Sequence, residues 1–375
     1  MQVGQRRASH GFNRIFKPLR RLVIASAMAC AGLQLVSVVD VPAHARNKRA
    51  EAARSDVETG GKPVSVQVRT ISSFSRTNPF SSRFGKLEFL GGMVLSSDER
   101  GFGGWSDIAI DSDGQRALMI SDDGHWLTTR FIYKDGRLSG LETSRMGPLR
   151  ARSGRVLDAK KESDAEGLAL VSGTLAKGEV LISFERIHRI GRFRIGPDGL
   201  EGPFSYLSLP AEVSRLKKNS GIEAIAHIKS GPNAGAIAIF AERRRKRDGE
   251  GAGRPGWLIQ GGRVTPFSVA DHGGLDISGA VGLPDGSIVI IERHFSWSTG
   301  LNVRLRRIQQ GAIKAGTVLD GDVLLEADLS NEIDNLEGVT AHVGADGRTV
   351  LTLVSDDNFR TLLQRTLILQ FAILP

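Results

Sequence analysis

The chain contains a single cysteine, Cys30, among its 375 residues. Cys30 lies in an N-terminal stretch that is expected to be removed, so the remaining domain has no thiol. This absence excludes disulfide bonds, thiolate nucleophiles and cysteine-ligated metal ions from that domain. A domain of this size can still bury a large apolar core without disulfide bonds.

Sequence motifs for several common chemistries are also missing. The chain has no G-x-S-x-G sequence, which argues against the serine mechanism of α/β-hydrolases. It has no Walker A sequence and no glycine fingerprint set between a strand and a helix, so no nucleotide or organic cofactor is predicted. The histidines are dispersed, without the H-x-H or H-x-x-x-H spacing of a metal site.

The first 45 residues have the three parts of an export signal. The positively charged segment contains Arg6, Arg7, Arg14, Lys17, Arg20 and Arg21. Residues 22–39 are apolar, and Ala43-His44-Ala45 is an A-x-A cleavage site. We therefore predict a signal peptide over residues 1–45 and a periplasmic or secreted domain without a membrane span. A Sec signal fits better than a twin-arginine signal, because Leu-Val-Ile follows the arginine pair. An uncleaved membrane anchor is the alternative, since the apolar stretch nearly reaches spanning length.

Removal of the signal also changes the charge balance. Residues 1–45 hold six of the 50 Lys and Arg residues and one of the 41 acidic residues, which leaves 44 basic and 40 acidic residues, a net charge of +4. So small an excess gives no reason to expect a nucleic-acid partner. Residues 46–62 are charged and free of aromatic side chains, and they are predicted to form a flexible linker. Residues 63–375 are expected to form one domain and to act as a monomer.

Five repeats of strand-like segments occupy most of that domain. Each repeat opens with a short apolar segment, at residues 106–110, 166–170, 223–227, 278–282 and 337–341. Successive openings are 60, 57, 55 and 59 residues apart. A second apolar segment follows in every repeat and ends in an acidic residue, as in VLISFER and SIVIIER. A near-constant period made of strands indicates repeated β modules that bury their faces against one another.

The strand count within a repeat predicts an all-β β-propeller. The first two repeats each contain about four strands, separated by Asp-Gly turns of the kind that close tight hairpins. Two further strands, at 64–71 and 86–95, precede the first repeat, and the last repeat ends after its third strand. One N-terminal strand is therefore expected to complete the last blade and close the ring. Five repeats are counted, but the unassigned N-terminal strands and residues 300–336 leave room for a sixth blade. We therefore predict five or six blades. A Greek-key sandwich is the alternative.

The repeats place acidic residues at equivalent positions near the central channel. Glu166, Glu223 and Glu337 open first strands. The ends of second strands carry Asp122, Asp123, Glu185, Glu242, Glu292, Asp356 and Asp357. Carboxylates that converge on one opening repel one another unless cations intervene. A hard ion such as Ca²⁺, which prefers oxygen ligands, could intervene.

Arginines written beside these acids are the other candidate cations. Arg186, Arg243 and Arg293 directly follow Glu185, Glu242 and Glu292. One interpretation is a structural ring of ion pairs that fixes blade to blade. The other is an anion site, in which arginines bind a phosphate while acids hold a metal and orient a water. His294 follows the fourth pair and could reach the opening. The four tryptophans are expected to pack between blades, with a stacking platform for a sugar as the alternative.

The ordered set of motifs resembles the bacterial phytase-like family, which is described by an esterase-like activity of phytase. The motifs are GFGGWSDIA, MISDDGHW, DAEGLAL, SFER, NSGIEAIA, IIERHFSWSTGLNVRLRRI, DNLEGVTA and LVSDDNF. The resemblance covers about residues 80–375 and implies an exported β-propeller that hydrolyses an ester or phosphoester. Related alkaline β-propeller phytases use Ca²⁺. Their Asp-Asp-Pro-Ala and Asn-Asn-Phe-Asp segments are not found here; Asp357 to Arg360 matches the second only superficially.

From the residues and the resemblance together we predict a Ca²⁺-dependent hydrolase of a small anionic ester. The expected catalytic carboxylates are Glu166, Glu223 and Glu337. The expected substrate-binding residues are Arg186, Arg243, Arg293 and His294. The expected metal ligands are Asp122, Asp123, Glu185, Glu242, Glu292 and Asp357. A non-catalytic binding or interaction propeller, whose Glu–Arg ring is structural, is the alternative.

Overall fold

The computed structural model describes residues 61–216, 221–242 and 253–375. The predicted signal peptide, nearly all of the predicted linker and Arg243 lie outside these residues. Lys62, placed at the end of the predicted linker, belongs to the first strand. Within the described ranges, no helix is both long enough and apolar enough to cross a membrane.

Strands dominate these ranges, with one short helix, α1 (Lys160–Ser163), and one 3₁₀ turn (Val213–Arg215). The strands in chain order are β1 Lys62–Pro63, β2 Gln67–Ile71, β3 Arg83–Phe84, β4 Leu87–Ser96, β5 Trp105–Ile110, β6 Arg116–Ser121, β7 His125–Lys134, β8 Arg137–Pro148, β9 Ala165–Thr174, β10 Lys177–Phe184, β11 Arg189–Gly196, β12 Gly199–Tyr206, β13 Ile222–His227, β14 Ile237–Ala241, β15 Arg254–Gln260, β16 Arg263–Val269, β17 Asp276–Gly282, β18 Ile288–Ser296, β19 Gly300–Ile308, β20 Val318–Leu319, β21 Asp322–Ala327, β22 Asn335–Val343, β23 Thr349–Asp356 and β24 Thr366–Ile373.

Five antiparallel four-stranded units form the blades of a propeller, which confirms the predicted fold. From the inner strand outward, blade 1 is β5 to β8, blade 2 is β9 to β12, blade 3 is β13 to β16, blade 4 is β17, β18, β19 and β21, and blade 5 is β22, β23, β24 and β4. No sixth blade forms among the described residues. The segment 300–336, which left that question open, supplies two strands of blade 4 and the short β20 on the edge of blade 3.

An N-terminal strand closes the ring, as predicted. β4 pairs antiparallel with β24 along its whole length, from Thr366↔Leu95 to Ile373↔Leu87. β2 then pairs with the outer side of β4. The last blade therefore joins chain segments from both ends of the domain, which removes an exposed sheet edge and locks the ring.

The five inner strands contact one another in the cyclic order β5, β9, β13, β17 and β22. Their close approach explains why glycine is the second residue of three repeat openings, Gly167, Gly279 and Gly338. A Cβ atom on Gly338 would lie 2.5 Å from the Cα atom of Asp107, and one on Gly279 would lie 2.3 Å from the carbonyl oxygen of Glu337. Only glycine fits between neighbouring inner strands at these two positions.

An apolar cluster fills each interface between neighbouring blades, which is why single blades are not stable alone. Trp126 packs between blades 1 and 2, Trp257 between blades 2 and 3, and Trp105 between blades 5 and 1. Burial of a large apolar side chain contributes about 2 kcal/mol to the stability of the fold. The interfaces therefore hold the blades in fixed positions around the channel. Trp297 departs from the expected packing, because it is almost wholly exposed.

Candidate active site at the channel mouth

The inner strands begin, and the second strands end, on one face of the propeller, here called the mouth face. A cavity of about 290 Å³ opens there at the end of the channel. Its lining residues are Ser106, Asp122, Lys160, Asp164, Glu166, Glu185, Arg186, Glu223, Glu242, Arg293, Glu337, Asp356 and Asn358. Eight carboxyl side chains thus face three cationic side chains, so acidic groups outnumber basic groups in the cavity.

All three predicted catalytic glutamates line this cavity. Glu166, Glu223 and Glu337 lie near the starts of β9, β13 and β22, the inner strands of blades 2, 3 and 5. The equivalent strand starts of blades 1 and 4 carry Ser106 and Ser278 instead. The repeat therefore produces an asymmetric set of carboxylates, with acids concentrated towards three of the five blades.

The second-strand ends contribute three of the predicted metal ligands. Asp122, Glu185 and Glu242 directly follow the last residues of β6, β10 and β14, and all three reach the cavity. Arg186 and Arg293, predicted to bind the substrate, line it too.

Several predicted site residues lie elsewhere. Asp123 is exposed and faces a different cavity beside His125. Asp357 is buried, and its carboxylate accepts hydrogen bonds from the backbone N–H groups of Gly104 and Phe359 and from the Thr366 hydroxyl. Each of these residues is the second of an Asp-Asp pair. Because successive side chains point in opposite directions, only the first residue of each pair reaches the mouth.

Blade 4 shows the same alternation with the opposite result. Arg293 faces the channel, so the preceding residue, Glu292, points away and is fully buried. Glu292 accepts hydrogen bonds from the Arg306 guanidinium, at 2.7 Å from Nε and 2.5 Å from Nη2. His294 is exposed and lines a separate cleft next to blade 4. Neither Glu292 nor His294 joins the acidic cavity.

The three cations of the mouth are held by acids. Arg293 forms a two-pronged ion pair with Glu337, with Nε 3.2 Å from Oε2 and a second, shorter contact from Nη2 to Oε1. Arg186 Nε lies 2.6 Å from Asp164 Oδ2. Lys160 Nζ contacts Asp164 Oδ1 at 2.7 Å and Asp122 Oδ2 at 2.5 Å. Within the described part of the chain, none of these cations hydrogen-bonds to Glu166, Glu223 or Asp356.

Burial and crowding raise the pKa values of four other acids, Glu166, Glu185, Glu223 and Asp356. Burial first, and then repulsion from neighbouring carboxylates, raises the pKa of Glu166 and of Glu223 well above the ordinary value. Burial raises the pKa of Asp356 to about 8, with Glu337 adding to the effect. Burial likewise raises the pKa of Glu185 to about 7, against the opposing effect of a hydrogen bond shared with Glu223.

The donor atoms of the cavity suit a hard cation. Carboxylate oxygens of Asp164, Glu166 and Glu185 lie within 4.8 Å of one another, and so do those of Glu185, Glu223 and Glu242. Glu185 belongs to both groups. In addition, Asp122 Oδ1 is buried and has no hydrogen-bond partner among the described residues. An all-oxygen donor set with unbalanced charge fits a divalent ion of the Ca²⁺ type.

A family model described as Phytase-like, esterase-like activity of phytase, matches residues 100–359. The chain belongs to this family. The matched range contains every residue that lines the mouth, whereas the strand pair that closes the ring, β4 with β24, lies outside it. No curated protein matches the chain.

Sequence reasoning missed three charged residues of this Phytase-like mouth as site residues. Asp164 stands two positions before Glu166 in the motif DAEGLAL, and Lys160 begins α1 just upstream. Asp356 is the first residue of the second Asp-Asp pair, of which only the second was selected. A sequence signal for Asp164 existed, because a polar residue, Asp164 or Asn335, stands two positions before the glutamate in both the second and the fifth repeat. In the structure Asn335 donates a hydrogen bond to Glu337 at 2.8 Å.

Outside the cavity lining, the buried Asp107 links inner strands of this Phytase-like propeller. Its carboxylate accepts hydrogen bonds from the backbone N–H groups of Ile108, Leu168 and Val339, at 2.8, 2.6 and 3.2 Å. These groups belong to inner strands of blades 1, 2 and 5, so one side chain joins three blades across the channel. Full burial raises the pKa of Asp107 well above its usual value, even though the three N–H donors oppose the shift.

Proposed function

We propose that the chain is an exported, Ca²⁺-dependent hydrolase that cleaves a phosphoester or another anionic ester at the channel mouth, acting as a monomer on a small substrate. The observation that supports this proposal most strongly is the composition of the cavity, where eight carboxyl groups face three cations. Several of these carboxyl groups have raised pKa values in the metal-free protein, and bound cations would keep them ionised and make room for an anionic substrate. The family description, with its esterase-like activity, supports hydrolysis as the reaction class.

Two groups of residues would hold the ions. Asp164, Glu166 and Glu185 form one set, and Glu185, Glu223 and Glu242 form the other. When bound, Ca²⁺ would supply charge neutralisation and polarisation of the ester oxygen.

Proton transfer and substrate binding are assigned to side chains of the protein. Glu185 and Glu223 share a hydrogen bond, and a carboxylate of this pair could orient an attacking water beside the bound ions and accept its proton. Arg293, fixed by its two contacts with Glu337, faces the cavity and presents a planar cation to an anionic group. Glu337 thus positions Arg293 in this proposal.

The alternative function is binding without catalysis. It is favoured by one observation: Arg186, Arg293 and Lys160 all form ion pairs, and the Arg293–Glu337 pair joins blade 4 to blade 5. In that case the cationic side chains of the mouth stabilise the contacts between blades and are not available to bind a substrate.

The test is hydrolysis of phytate, small phosphomonoesters and short acyl esters, with Ca²⁺ and with a chelator. We expect Ca²⁺-dependent release of phosphate or acid, and a loss of at least tenfold in kcat for Glu223→Gln. Glu201→Gln, an exposed glutamate on β12, is the matched control and should keep full activity. Activity that is equal in the Glu223→Gln variant would place the reaction outside the mouth, and inactivity on the whole panel would favour the binding propeller.

A further inference from the structure

Three of the four large apolar side chains that are more than 80% exposed among the described residues lie on the mouth face, and the fourth, Phe80, lies between β2 and β3. The mouth face carries Trp297, Leu362 and Leu363, with 96%, 99% and 82% of their surface exposed, together with the half-exposed Phe295 and Phe359. The opposite face is built from polar hairpin turns, namely Asp113-Gly114, Asp135-Gly136, Asp285-Gly286 and Asp346-Gly347. The concentration of such highly exposed side chains on one face indicates a contact surface.

The most exposed of these residues lie on two equivalent loops, here called the rim loops. The first is the turn of residues 294–299 between β18 and β19, and the second is residues 357–365 between β23 and β24. Each connects the second to the third strand of its blade, and blades 4 and 5 are neighbours in the ring. Both rim loops therefore leave the propeller on the same side, next to the acidic mouth.

Hydrogen bonds fix both rim loops with their apolar side chains outward. In the first loop the Ser296 hydroxyl accepts the backbone N–H of Thr299 at 3.0 Å, and the rings of Phe295 and Trp297 meet edge to face at 5.5 Å. In the second, the backbone N–H of Leu363 donates to the carbonyl oxygen of Arg360 at 2.7 Å. The exposure is thus a property of defined turns, and little conformational entropy remains to be lost on binding.

The form of this surface suits a lipid bilayer better than a folded partner. Trp297 and the leucine pair project outward from two separate turns, and polar residues such as Ser298 and Thr361 adjoin them in the chain. A fluid apolar phase can accept isolated side chains without a complementary shape, and tryptophan favours the membrane interface. Arg360 is exposed between Phe359 and the leucines, where its guanidinium can meet a lipid phosphate.

We propose that the two rim loops dock the mouth face onto a phospholipid surface, with Trp297, Leu362 and Leu363 inserted at the level of the headgroups. This docking would direct the acidic mouth towards the membrane. The proposal does not depend on the reaction assigned to the mouth, because it rests on the exposure and fixed geometry of the rim loops alone.

The chain contains its own reporter for this contact. Trp297 is the only exposed tryptophan, because Trp105, Trp126 and Trp257 are buried. A blue shift of the emission on addition of phosphatidylcholine vesicles, with quenching by brominated lipids, would therefore report the first rim loop itself. Binding of the apolar N-terminal stretch alone would carry the protein to the vesicles without changing this signal.

The experiment measures the emission of the full chain during titration with these vesicles, with and without phosphatidylglycerol. We expect a blue shift in the wild type, its absence in Trp297→Phe, and an apparent vesicle affinity that is about tenfold weaker in a Leu362→Ser/Leu363→Ser variant. Phe80→Ala removes an equally exposed aromatic side chain that belongs to neither rim loop, and it should leave the titration unchanged. If the emission of Trp297 does not shift although the protein is bound to vesicles, the proposal is overturned. A Leu362→Ser/Leu363→Ser variant with the same apparent vesicle affinity as the wild type would also overturn it.

Discussion

Replacement of Glu185 by glutamine gives the sharpest test of the mouth electrostatics. Glu185 is the one carboxylate that belongs to both groups of converging oxygens. In the metal-free protein its charge is disfavoured by burial, which raises its pKa from 4.5 to about 7. We expect Glu185→Gln, in the presence of a chelator, to be more stable than the wild type at pH 8.

The magnitude follows from the shift in pKa. A difference of this size corresponds to about 3 kcal/mol if it is fully expressed, and solvent screening at the open mouth reduces it to about 1–2 kcal/mol. Because the folded-state pKa is raised, the favourable contribution is complete below about pH 4.5 and is lost as pH rises through about 7. The advantage of the variant should therefore be near zero at pH 4 and largest at pH 8.

Thermal unfolding of both proteins at pH 4, 6 and 8 with a chelator measures this difference. At pH 8 the variant should melt about 2–4 °C higher than the wild type, and added Ca²⁺ should reverse the order by stabilising only the wild type. Glu201→Gln controls for the general effect of removing a negative charge. A variant that is no more stable than the wild type at pH 8, or a difference that does not change with pH, would show that the charge of Glu185 does not destabilise the metal-free fold.

Two further predictions concern the frame that holds the site. Asp107→Ala leaves the backbone N–H groups of Leu168 and Val339 without their acceptor, so urea denaturation should show a free energy of unfolding that is about 2–4 kcal/mol lower. Asp107→Asn should recover part of this loss. An Asp107→Ala variant as stable as the wild type would show that these hydrogen bonds do not stabilise the ring. Deletion of residues 1–96 removes β4, the closing strand of blade 5, and circular dichroism should show an unfolded chain, whereas deletion of residues 1–60 should leave the fold intact; a cooperative melt without β4 would contradict the closure.

Much of the fold could be predicted from the sequence because its signals are local and repeated. Asp-Gly turns and short apolar segments mark many of the hairpins, and the near-constant period marks the five repeats. The closing strand was also predictable, since the last repeat ends after its third strand. The number of blades stayed open because residues 300–336 carry the short β20 between two strands of blade 4, and a sequence alone does not show that β20 joins a neighbouring blade.

The candidate site was predictable only to the level of which strand ends meet at the mouth. Which residue of a pair faces the channel depends on register, and a shift of one position reverses it. Thus Asp122 lines the cavity while Asp123 does not, and Arg293 does while Glu292 does not. Lys160 enters from a short helix outside the repeat, so no periodic signal marks it.

We propose that the acids of the mouth bind divalent cations, and calorimetric titration of the wild-type protein with Ca²⁺ at pH 7 tests this claim. Because Glu185 and Asp356 are partly protonated at this pH, binding should release protons and give an enthalpy that depends on the ionisation heat of the buffer. We predict saturable binding in the wild type and in Glu201→Gln, and its loss in Glu185→Gln. Absence of binding in the wild type, or equal binding in Glu185→Gln, would contradict the claim.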